Sequence, residues 1–354
     1  MTDLALFRAT CAHEPHRRFL CYASFTPDLL ARVRVHFGCT PEDDLGARLG
    51  IWKVRHVAPK APDLYKPDFA KYFADVEKPA GSFINGLGVL EIPANFYHFT
   101  GYVSPLRNAT SFKDIEDFPY PIDNGFDESG LKDRVREIHA AGMIAVLGIG
   151  HMYESAWRIR GYEEFLMDMV ERPEWCEYIL DRLALRNRRL AEIAARAGVD
   201  FIRTGDDVAN QNAMMFSLPA WRRFMKPRWA AAYAAARDID RRIQVWYHSD
   251  GNIADIIPEL IEIGVTILNP VQPECMDLAA LKKAYGRKLV FDGTIGTQST
   301  MPFGTPDDVR RTVRERKRAL GRDGALILSP THVLEPEVPL ANIEAFFSEA
   351  GKGR

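Results

Sequence analysis

A repeat of short apolar segments in the last third of the chain constrains the fold most. Three of them are Ile243–His248, Val265–Asn269 and Ala325–Ser329, and each is closed by Gly, Pro or Asn and followed by a helix-like stretch. A short, mostly apolar run of this kind is typical of a strand buried on both faces. Strands that alternate with helices are parallel, so their carboxyl ends meet at one mouth. Polar residues that follow these strands should therefore converge on a single site.

The same rhythm extends through most of the chain. Further strands are predicted at residues 18–23, 86–93, 143–147, 200–203 and 288–291, and helices at 162–170, 173–197 and 218–237. We predict an α/β fold with one domain over residues 1–354. Its architecture is a (β/α)8 TIM-type barrel with an N-terminal extension, in which residues 1–80 form the extension and the first barrel elements.

Composition narrows the classes of function. The chain has 354 residues, 47% of them hydrophobic, which is enough for a large core, and a formal net charge of −2. Without a basic excess we expect no nucleic-acid partner, and no apolar run approaches the roughly 20 residues that cross a membrane. The N-terminus does not resemble a secretory signal, and the five cysteines include no CxxC pair. We therefore expect reduced thiols and a cytoplasmic location.

Residues of metal-binding type stand at the ends of the three segments. His248 ends the first, Cys275 follows the second and His332 follows the third. Imidazole and thiolate are preferred zinc donors, and a catalytic zinc takes three protein ligands and keeps one position open. We therefore predict zinc at His248, Cys275 and His332. The alternative is that one histidine only hydrogen-bonds the substrate and that Cys275 is a packing residue.

Aspartates near the expected mouth are the catalytic candidates: Asp206, Asp207 and Asp250. Asp206 and Asp207 follow another predicted strand. Because they are adjacent, only one should point into the mouth, where it could act as an acid or base. The alternative for either is a helix cap or a structural ion pair. Asp250, like Glu274, could supply an oxygen ligand or the acceptor that orients an imidazole.

Polar side chains at other strand ends are candidates for substrate binding. His151 follows a Gly-Ile-Gly segment, and Glu154 lies just beyond it. Asp292 ends a strand, although Asp-Gly is also a common turn. Gln211 and Gln298 lie in loops of the expected mouth. We assign these five residues to the substrate pocket.

Common nucleotide and nucleophile motifs do not occur in the sequence. Gly148-x-Gly150 lacks the third glycine and the acidic residue of a dinucleotide fingerprint. The sequence contains neither a GxxxxGK[ST] phosphate loop nor a GxSxG nucleophile elbow.

Short motifs connect the chain to a known superfamily. They are Glu154 six residues before Arg160-Gly161, Gly205-Asp206-Asp207, Ser217-x-Pro219, His248-Ser249-Asp250-Gly251, Gly296-Thr297-Gln298 and Ser329-Pro330-Thr331-His332. In these residues the chain resembles the uroporphyrinogen decarboxylase superfamily, which contains decarboxylases and zinc-dependent methyltransferases acting with corrinoid proteins or on thiols. The resemblance covers most of the chain and implies a (β/α)8 barrel.

Departures from the superfamily patterns favour its methyltransferase branch. True decarboxylases carry Met-Arg-Gln-Ala-Gly-Arg-Tyr near the N-terminus, whose arginines handle the acidic tetrapyrrole; here only Arg17 and Arg18 lie nearby. The methyltransferases hold zinc with His-x-Cys and a later Cys. In this chain Asp250 replaces the first Cys, His332 replaces the second, and Cys275 is extra. This harder ligand set suits the oxygen of a methyl ether better than a thiol.

The resemblance implies a methyltransferase of the O-demethylase kind. Zinc would bind the heteroatom of a small methylated substrate as a Lewis acid, and a corrinoid (cobalamin), on a partner protein or as a cosubstrate, would accept the methyl group. The alternative is a metal-independent decarboxylase of a tetrapyrrole or a smaller acidic substrate, with Asp206 or Asp207 stabilising an intermediate and His332 binding a carboxylate. A third reading is a corrinoid- or tetrapyrrole-binding module without activity. Whether the chain forms a homodimer stays open.

Overall fold

Parallel strands form the centre of the computed structural model, which describes residues 1–61, 67–96, 99–121 and 125–353. The strands are β1 Val54–His56, β2 Phe83–Ile84, β3 Leu90–Phe96, β4 Phe99–Val103, β5 Ile144–Gly150, β6 Phe201–Gly205, β7 Gln244–His248, β8 Ile267–Asn269, β9 Val290–Asp292 and β10 Leu326–Ile327. Seven of them form one parallel sheet in the order β1-β5-β6-β7-β8-β9-β10.

Residues 20–22 close this sheet into a barrel. The Tyr22 N–H donates to the Leu328 carbonyl at 3.1 Å, and the Trp52 N–H donates to the Cys21 carbonyl at 2.9 Å. These bonds place residues 20–22 between β10 and the segment leading into β1, with a parallel bridge between Cys21 and Leu328. The predicted α/β fold and TIM-type barrel are confirmed.

Helices surround the barrel and follow its strands. They are α1 Asp3–Cys11, α2 Pro27–His36, α3 Leu45–Leu49, α4 Phe112–Glu116, α5 Leu131–Ala140, α6 Tyr153–Arg160, α7 Tyr162–Glu171, α8 Pro173–Ala197, α9 Leu218–Phe224, α10 Lys226–Ile239, α11 Ile257–Ile263, α12 Leu278–Tyr285, α13 Thr300–Phe303, α14 Pro306–Ala319 and α15 Leu340–Gly351, with short 3₁₀ turns at Ala70–Phe73 and Ala254–Ile256. The predicted helix at 173–197 is confirmed. The helix predicted at 218–237 is divided into α9 and α10, because Pro227 cannot donate a backbone N–H to the preceding turn.

The barrel interior has an apolar lower layer and a polar upper layer. Inward side chains such as Val146, Phe201 and Trp246 pack with Leu6 and Phe7 of α1, which covers the amino-terminal end. Side chains alternate along a strand, so the residue two positions after each of these inward residues also points into the barrel, nearer the carboxyl end of its strand. The residues of this upper layer include His248, Asn269, Asp292 and Ser329, whereas Arg203 of β6 is in register with Trp246 of the lower layer. The polar layer therefore lies at the carboxyl ends of the strands.

A small antiparallel sheet stands beside the barrel mouth. It has the order β2-β3-β4, and Glu91 of β3 pairs with Tyr102 of β4. The strand predicted at residues 86–93 belongs to this sheet rather than to the barrel. No helix among the described residues is long and apolar enough to span a membrane.

Candidate functional site

A cleft of about 480 Å³ opens at the carboxyl end of the barrel. Its walls come from β3, β4, α6, α7 and the ends of β5, β6, β7 and β10. The residues that line it are Glu91, Tyr102, His151, Glu154, Trp157, Arg158, Tyr162, Asp207, Met215, His248 and His332. Five of these residues belong to the site expected from the sequence.

His151 and Glu154 form a pair where α6 begins. His151 Nδ1 lies 2.6 Å from one carboxylate oxygen of Glu154, and Arg158 approaches the other oxygen at 3.3 Å. Burial acts to lower the pKa of His151, but the hydrogen bond and the charge of Glu154 outweigh it and raise that pKa. Burial acts to raise the pKa of Glu154, whereas the His151 and Arg158 contacts bring it down to about 2. His151 therefore holds a proton to higher pH than an isolated histidine.

Asp206 lies behind this pair and is fully buried. One carboxylate oxygen accepts the backbone N–H groups of Met152 at 2.8 Å and Glu154 at 3.1 Å, and the other accepts the indole N–H of Trp229 at 3.1 Å. Burial raises the pKa of Asp206 to about 7, against the charge of His151. Asp206 anchors the first turn of α6 and does not line the cleft. Its direct catalytic role stays a prediction.

Asp207, His248 and Asp250 form a compact cluster in the cleft. Their nearest nitrogen and carboxylate oxygen atoms lie within 4.8 Å of one another. His248 Nε2 is 3.7 Å from Asp207 Oδ1 and 3.8 Å from Asp250 Oδ2. The other ring nitrogen, Nδ1, lies 2.7 Å from Asn269 Oδ1. The Asn269 amide thus holds the ring so that Nε2 faces both carboxylates.

Two glycines allow the loops that carry this cluster to pack together. Gly205 has φ of 150°, and a side chain there would collide with the backbone of His248. Gly251 has φ of 88°, and a side chain there would collide with the carbonyl of Asn210. The Asp250 N–H, one residue before Gly251, donates to Asp207 Oδ1 at 2.9 Å. Backbone contact therefore requires glycine at positions 205 and 251, in the loops that carry Asp207 and Asp250.

His332 and Cys275 occupy different positions relative to this cluster. His332 lines the cleft, and its Nε2 lies 3.8 Å from Asp250 Oδ2. Cys275 belongs to neither group of three close candidate ligands among the described residues. Its Sγ is 3.5 Å from Gln272 Oε1, and burial, together with neighbouring carboxylates, raises the pKa of the thiol. The structure therefore does not bring His248, Cys275 and His332 together as one group of close ligand atoms.

Asp292 lies below the cleft and is fully buried in the barrel. It accepts hydrogen bonds from the Tyr22 hydroxyl at 2.9 Å, the Trp246 indole N–H at 2.8 Å and the Ser329 hydroxyl at 2.9 Å. Burial raises its pKa although these donors act to lower it. Asn269 extends the network by donating to the Tyr22 oxygen at 3.2 Å. Asp292 orients Tyr22, Trp246 and Ser329 from below the cleft, and its contact with a substrate stays a prediction.

Gln211 and Gln298 meet at the surface of the mouth. The Gln211 amide donates to Gln298 Oε1 at 2.5 Å, joining the loops that follow β6 and β9. Both side chains are exposed. Their contact with a substrate stays a prediction.

Asn269 and Glu91 were not expected in the site. Asn269 ends β8, so the rule that selected other polar residues at strand ends could have found it. Glu91 lies within β3, and it lines the cleft because the small sheet packs beside the barrel. The sequence pattern alone does not predict that packing.

The cleft is acidic. Glu91, Glu154 and Asp207 line it, and Asp250 lies next to it in the His248 cluster. Among the described residues that line it, Arg158 is the single arginine or lysine, and it pairs with Glu154. Such a site favours a cation or a neutral group over an additional carboxylate.

Comparison with known proteins identifies the family and structures of similar fold. The uroporphyrinogen decarboxylase (URO-D) family profile matches residues 152–352. Among solved structures, a methyltransferase from Methanosarcina mazei superposes with a TM-score of 0.68 at 15% identity, covering 99% of this chain and 98% of that chain. A psychrophilic glycoside hydrolase family 10 endo-β-1,4-xylanase gives a TM-score of 0.39 at 10% identity, covering 68% of this chain and 86% of that chain. No curated protein sequence matches the chain.

Proposed function

This chain belongs to the uroporphyrinogen decarboxylase family, and we propose that it acts as a methyltransferase that demethylates a small methylated substrate. The acidity of the cleft supports this proposal over decarboxylation of uroporphyrinogen. A tetrapyrrole with many carboxylates requires several free arginines or lysines, whereas the described cleft offers Arg158 against three lining carboxylates. Bringing further carboxylates into such a site would be strongly unfavourable.

The residues of the cleft fit a divalent metal ion. Asp207, His248 and Asp250 present one imidazole nitrogen and two carboxylates within 4.8 Å of one another. His332, on the far side of Asp250, is a further candidate ligand. The group of His151, Glu154 and Asp206 is equally close, but both oxygens of Asp206 accept N–H donors, and the two oxygens of Glu154 pair with His151 and Arg158. We therefore revise the ligand set to Asp207, His248 and Asp250, with zinc as the proposed ion.

A metal held by these ligands would supply Lewis-acid polarisation of the heteroatom that carries the methyl group. The chain's own residues supply the rest. His248 and the two aspartates would bind and orient the heteroatom side of the substrate. His151, with its raised pKa, would hold a proton at Nε2 for the departing oxygen or nitrogen. Glu154 keeps that imidazolium in place through the 2.6 Å contact.

The methyl acceptor we propose is a corrinoid, carried by a partner protein or supplied as free cobalamin. The carboxyl end of the barrel gives such a cofactor its access, because the cleft opens there. The five free cysteines fit the reducing cytoplasm that Co(I) chemistry requires. Co(I) would take the methyl group while the heteroatom keeps the electron pair of the broken bond.

The test combines metal content with methyl transfer. Protein purified without added metal would be analysed for zinc, then incubated with cob(I)alamin and a panel of aryl methyl ethers and N-methylated amines, with methylcobalamin followed by absorbance. We expect His248→Ala to lose metal and to lower methyl transfer at least about 1,000-fold, since it removes a ligand rather than a supporting residue. The matched control His36→Ala changes a histidine that pairs with Glu344 on the surface, and should behave as wild type. Decarboxylation of uroporphyrinogen on the order of 1 per second, without methyl transfer, would overturn the proposal.

A further inference from the structure

A second cavity, of about 360 Å³, lies inside the barrel and has the opposite charge. Its near walls are residues 22–24, 44, 46–47 and 51–56, and its far wall is formed by Phe201, Arg203 and Trp246. Asp44 is the one carboxylate among these described lining residues, against Lys53, Arg55 and Arg203, and its Oδ1 accepts the Ala47 N–H at 2.9 Å. Residues 20–22 and the start of β1 are joined by the bond from the Trp52 N–H to the Cys21 carbonyl. The cavity occupies the gap beyond that bond, where the two segments separate.

Arg203 is the cation that faces this interior. It shares the inward face of β6 with Phe201, which packs in the barrel core, and its side chain is exposed to the cavity. The guanidinium stacks over the Trp246 ring, 4.7 Å from the centroid. No carboxylate within the described ranges forms an ion pair with it. An arginine in a semi-enclosed cavity without an acidic partner is what an anion-binding site presents.

Four aromatic residues, Tyr22, Trp52, Phe201 and Trp246, contribute to the lining of this cavity. Tyr22 stacks on Trp52 with ring centroids 5.2 Å apart at 11°, and Trp52 stacks on Phe201 at 6.3 Å and 22°. Asp292 holds Tyr22 and Trp246 by hydrogen bonds. Flat rings fixed in this way favour a flat, apolar body.

His56 adds no positive charge to the cavity. Burial, together with the charge of Arg203, lowers the pKa of His56, so the imidazole is neutral at pH 7. Lys53 and Arg55 alternate with Val54 and His56 along β1, and Val54 packs against the inner core. The two cations therefore face the outer opening of the cavity. One positive charge, that of Arg203, remains at its inner end.

The cavity and the acidic cleft are consecutive layers of one barrel. Trp246 faces the cavity and His248, two residues further along β7, faces the cleft, with ring centroids 5.8 Å apart at 14°. Arg203 is in register with Trp246 and Gly205 with His248. Two residues along a parallel strand span about 7 Å, comparable to a six-membered ring substituted at both ends. A ligand of that length would match the spacing of the two layers.

We propose that this cavity binds the carboxylate end of the substrate at Arg203, so that the substrate is a flat, singly charged organic acid with its methylated heteroatom at the opposite end. The statement about the methylated end rests on the function proposed above. The carboxylate subsite itself does not, because it concerns binding alone.

Calorimetric titration tests the subsite with benzoate, its neutral analogue benzamide, and acetate, which lacks the ring. The protein would contain no corrinoid. We expect benzoate to bind one site, Arg203→Gln to weaken it at least about tenfold, and Arg203→Lys to weaken it less. Benzamide should bind more weakly than benzoate and be insensitive to Arg203→Gln. The control Arg134→Gln, which changes an exposed arginine of α5 paired with Glu137, should leave all three ligands unaffected.

The outcomes separate this proposal from the methyltransferase proposal. Absence of benzoate binding, equal binding of benzoate and benzamide, or benzoate affinity unchanged in a folded Arg203→Gln protein overturns the subsite. Acetate binding as tightly as benzoate would contradict the flat body. Arg203-dependent benzoate binding in a protein that transfers no methyl group would retain the subsite and reject the demethylase function.

Discussion

Asp206 and Asp292 are two aspartates in nearly the same setting. Each stands at the carboxyl end of a barrel strand, is fully buried and receives three hydrogen bonds. Asp206 takes two of its three from the backbone at the start of α6, behind the acidic cleft. Asp292 takes all three from side chains, two of which line the basic cavity. The first fixes the path of the chain, and the second fixes the orientation of rings.

This difference shows what a buried carboxylate can do for a site that it does not touch. A backbone N–H cannot turn away when its acceptor is removed, whereas a hydroxyl can find another partner. The two aspartates should therefore respond differently to the same substitution, although sequence reasoning treats both as residues of the mouth.

The largest expected effect separates the two aspartates by stability. Asp206→Ala leaves Met152, Glu154 and Trp229 donors without their acceptor and should lower the free energy of unfolding by about 3 kcal/mol or more. Asp292→Ala should cost about 1–2 kcal/mol, because the two hydroxyl donors can reorient. Urea unfolding followed by circular dichroism measures both. Asp307→Ala, on exposed α14, is the control and should stay within about 0.5 kcal/mol of wild type. Equal losses at positions 206 and 292 would remove the distinction.

The pH dependence of stability sharpens the same comparison. The pKa of Asp206 is raised in the folded protein from 3.8 to about 7, so the native state binds more protons than the unfolded chain between these values. Its contribution to stability is therefore fully present below about pH 4 and declines as pH rises to about 7, by up to about 1.4 kcal/mol per pH unit. Asp206→Asn should remove this decline. Urea midpoints of wild type and variant at several pH values test it; parallel profiles would contradict the raised pKa.

A smaller effect is expected at the residue that joins the two layers. Asn269 contacts His248 at 2.7 Å and Tyr22 at 3.2 Å. Asn269→Ala should weaken metal binding by roughly 10–100-fold, as for other residues that orient a histidine ligand. Competition with a chromogenic chelator gives the affinity. Asn252→Ala, in the neighbouring loop, is the control, and an unchanged affinity in Asn269→Ala would mean that the His248 ring needs no such support.

The smallest effect is expected at Cys275. Because its thiol lies outside the His248 cluster and has a raised pKa, Cys275→Ser should change metal content by less than about twofold. Alkylation of Cys275 should proceed at the same rate before and after chelation. Loss of metal from the serine variant, or faster alkylation after chelation, would restore Cys275 as a ligand and undo the revised set.

Much of the fold could be predicted because burial on both faces leaves a strong pattern. Residues 243–248 and 325–329 are mostly apolar, and β7 and β10 lie there. β1 is three residues long and contains Arg and His, so no such pattern marks it. The candidate site could also be predicted only in part. Strand ends brought Asp207, His248 and His332 together, but the sequence does not say which of two adjacent aspartates turns inward, and an arginine within β6 gives no sign that it faces a cavity.

The hydrogen bonds that run from Asp292 to His248 have a direction. The buried Asp292 carboxylate can only accept hydrogen bonds, so the Tyr22 hydroxyl donates to it. The Tyr22 oxygen in turn accepts a hydrogen bond from the amide nitrogen of Asn269. The Asn269 amide oxygen therefore faces His248. Because this oxygen can only accept a hydrogen bond, His248 must carry its proton on Nδ1. The lone pair on Nε2 is the result. The buried Asp292 carboxylate thus selects the tautomer, and with it the ligand atom, of a histidine to which it is linked only through Tyr22 and Asn269.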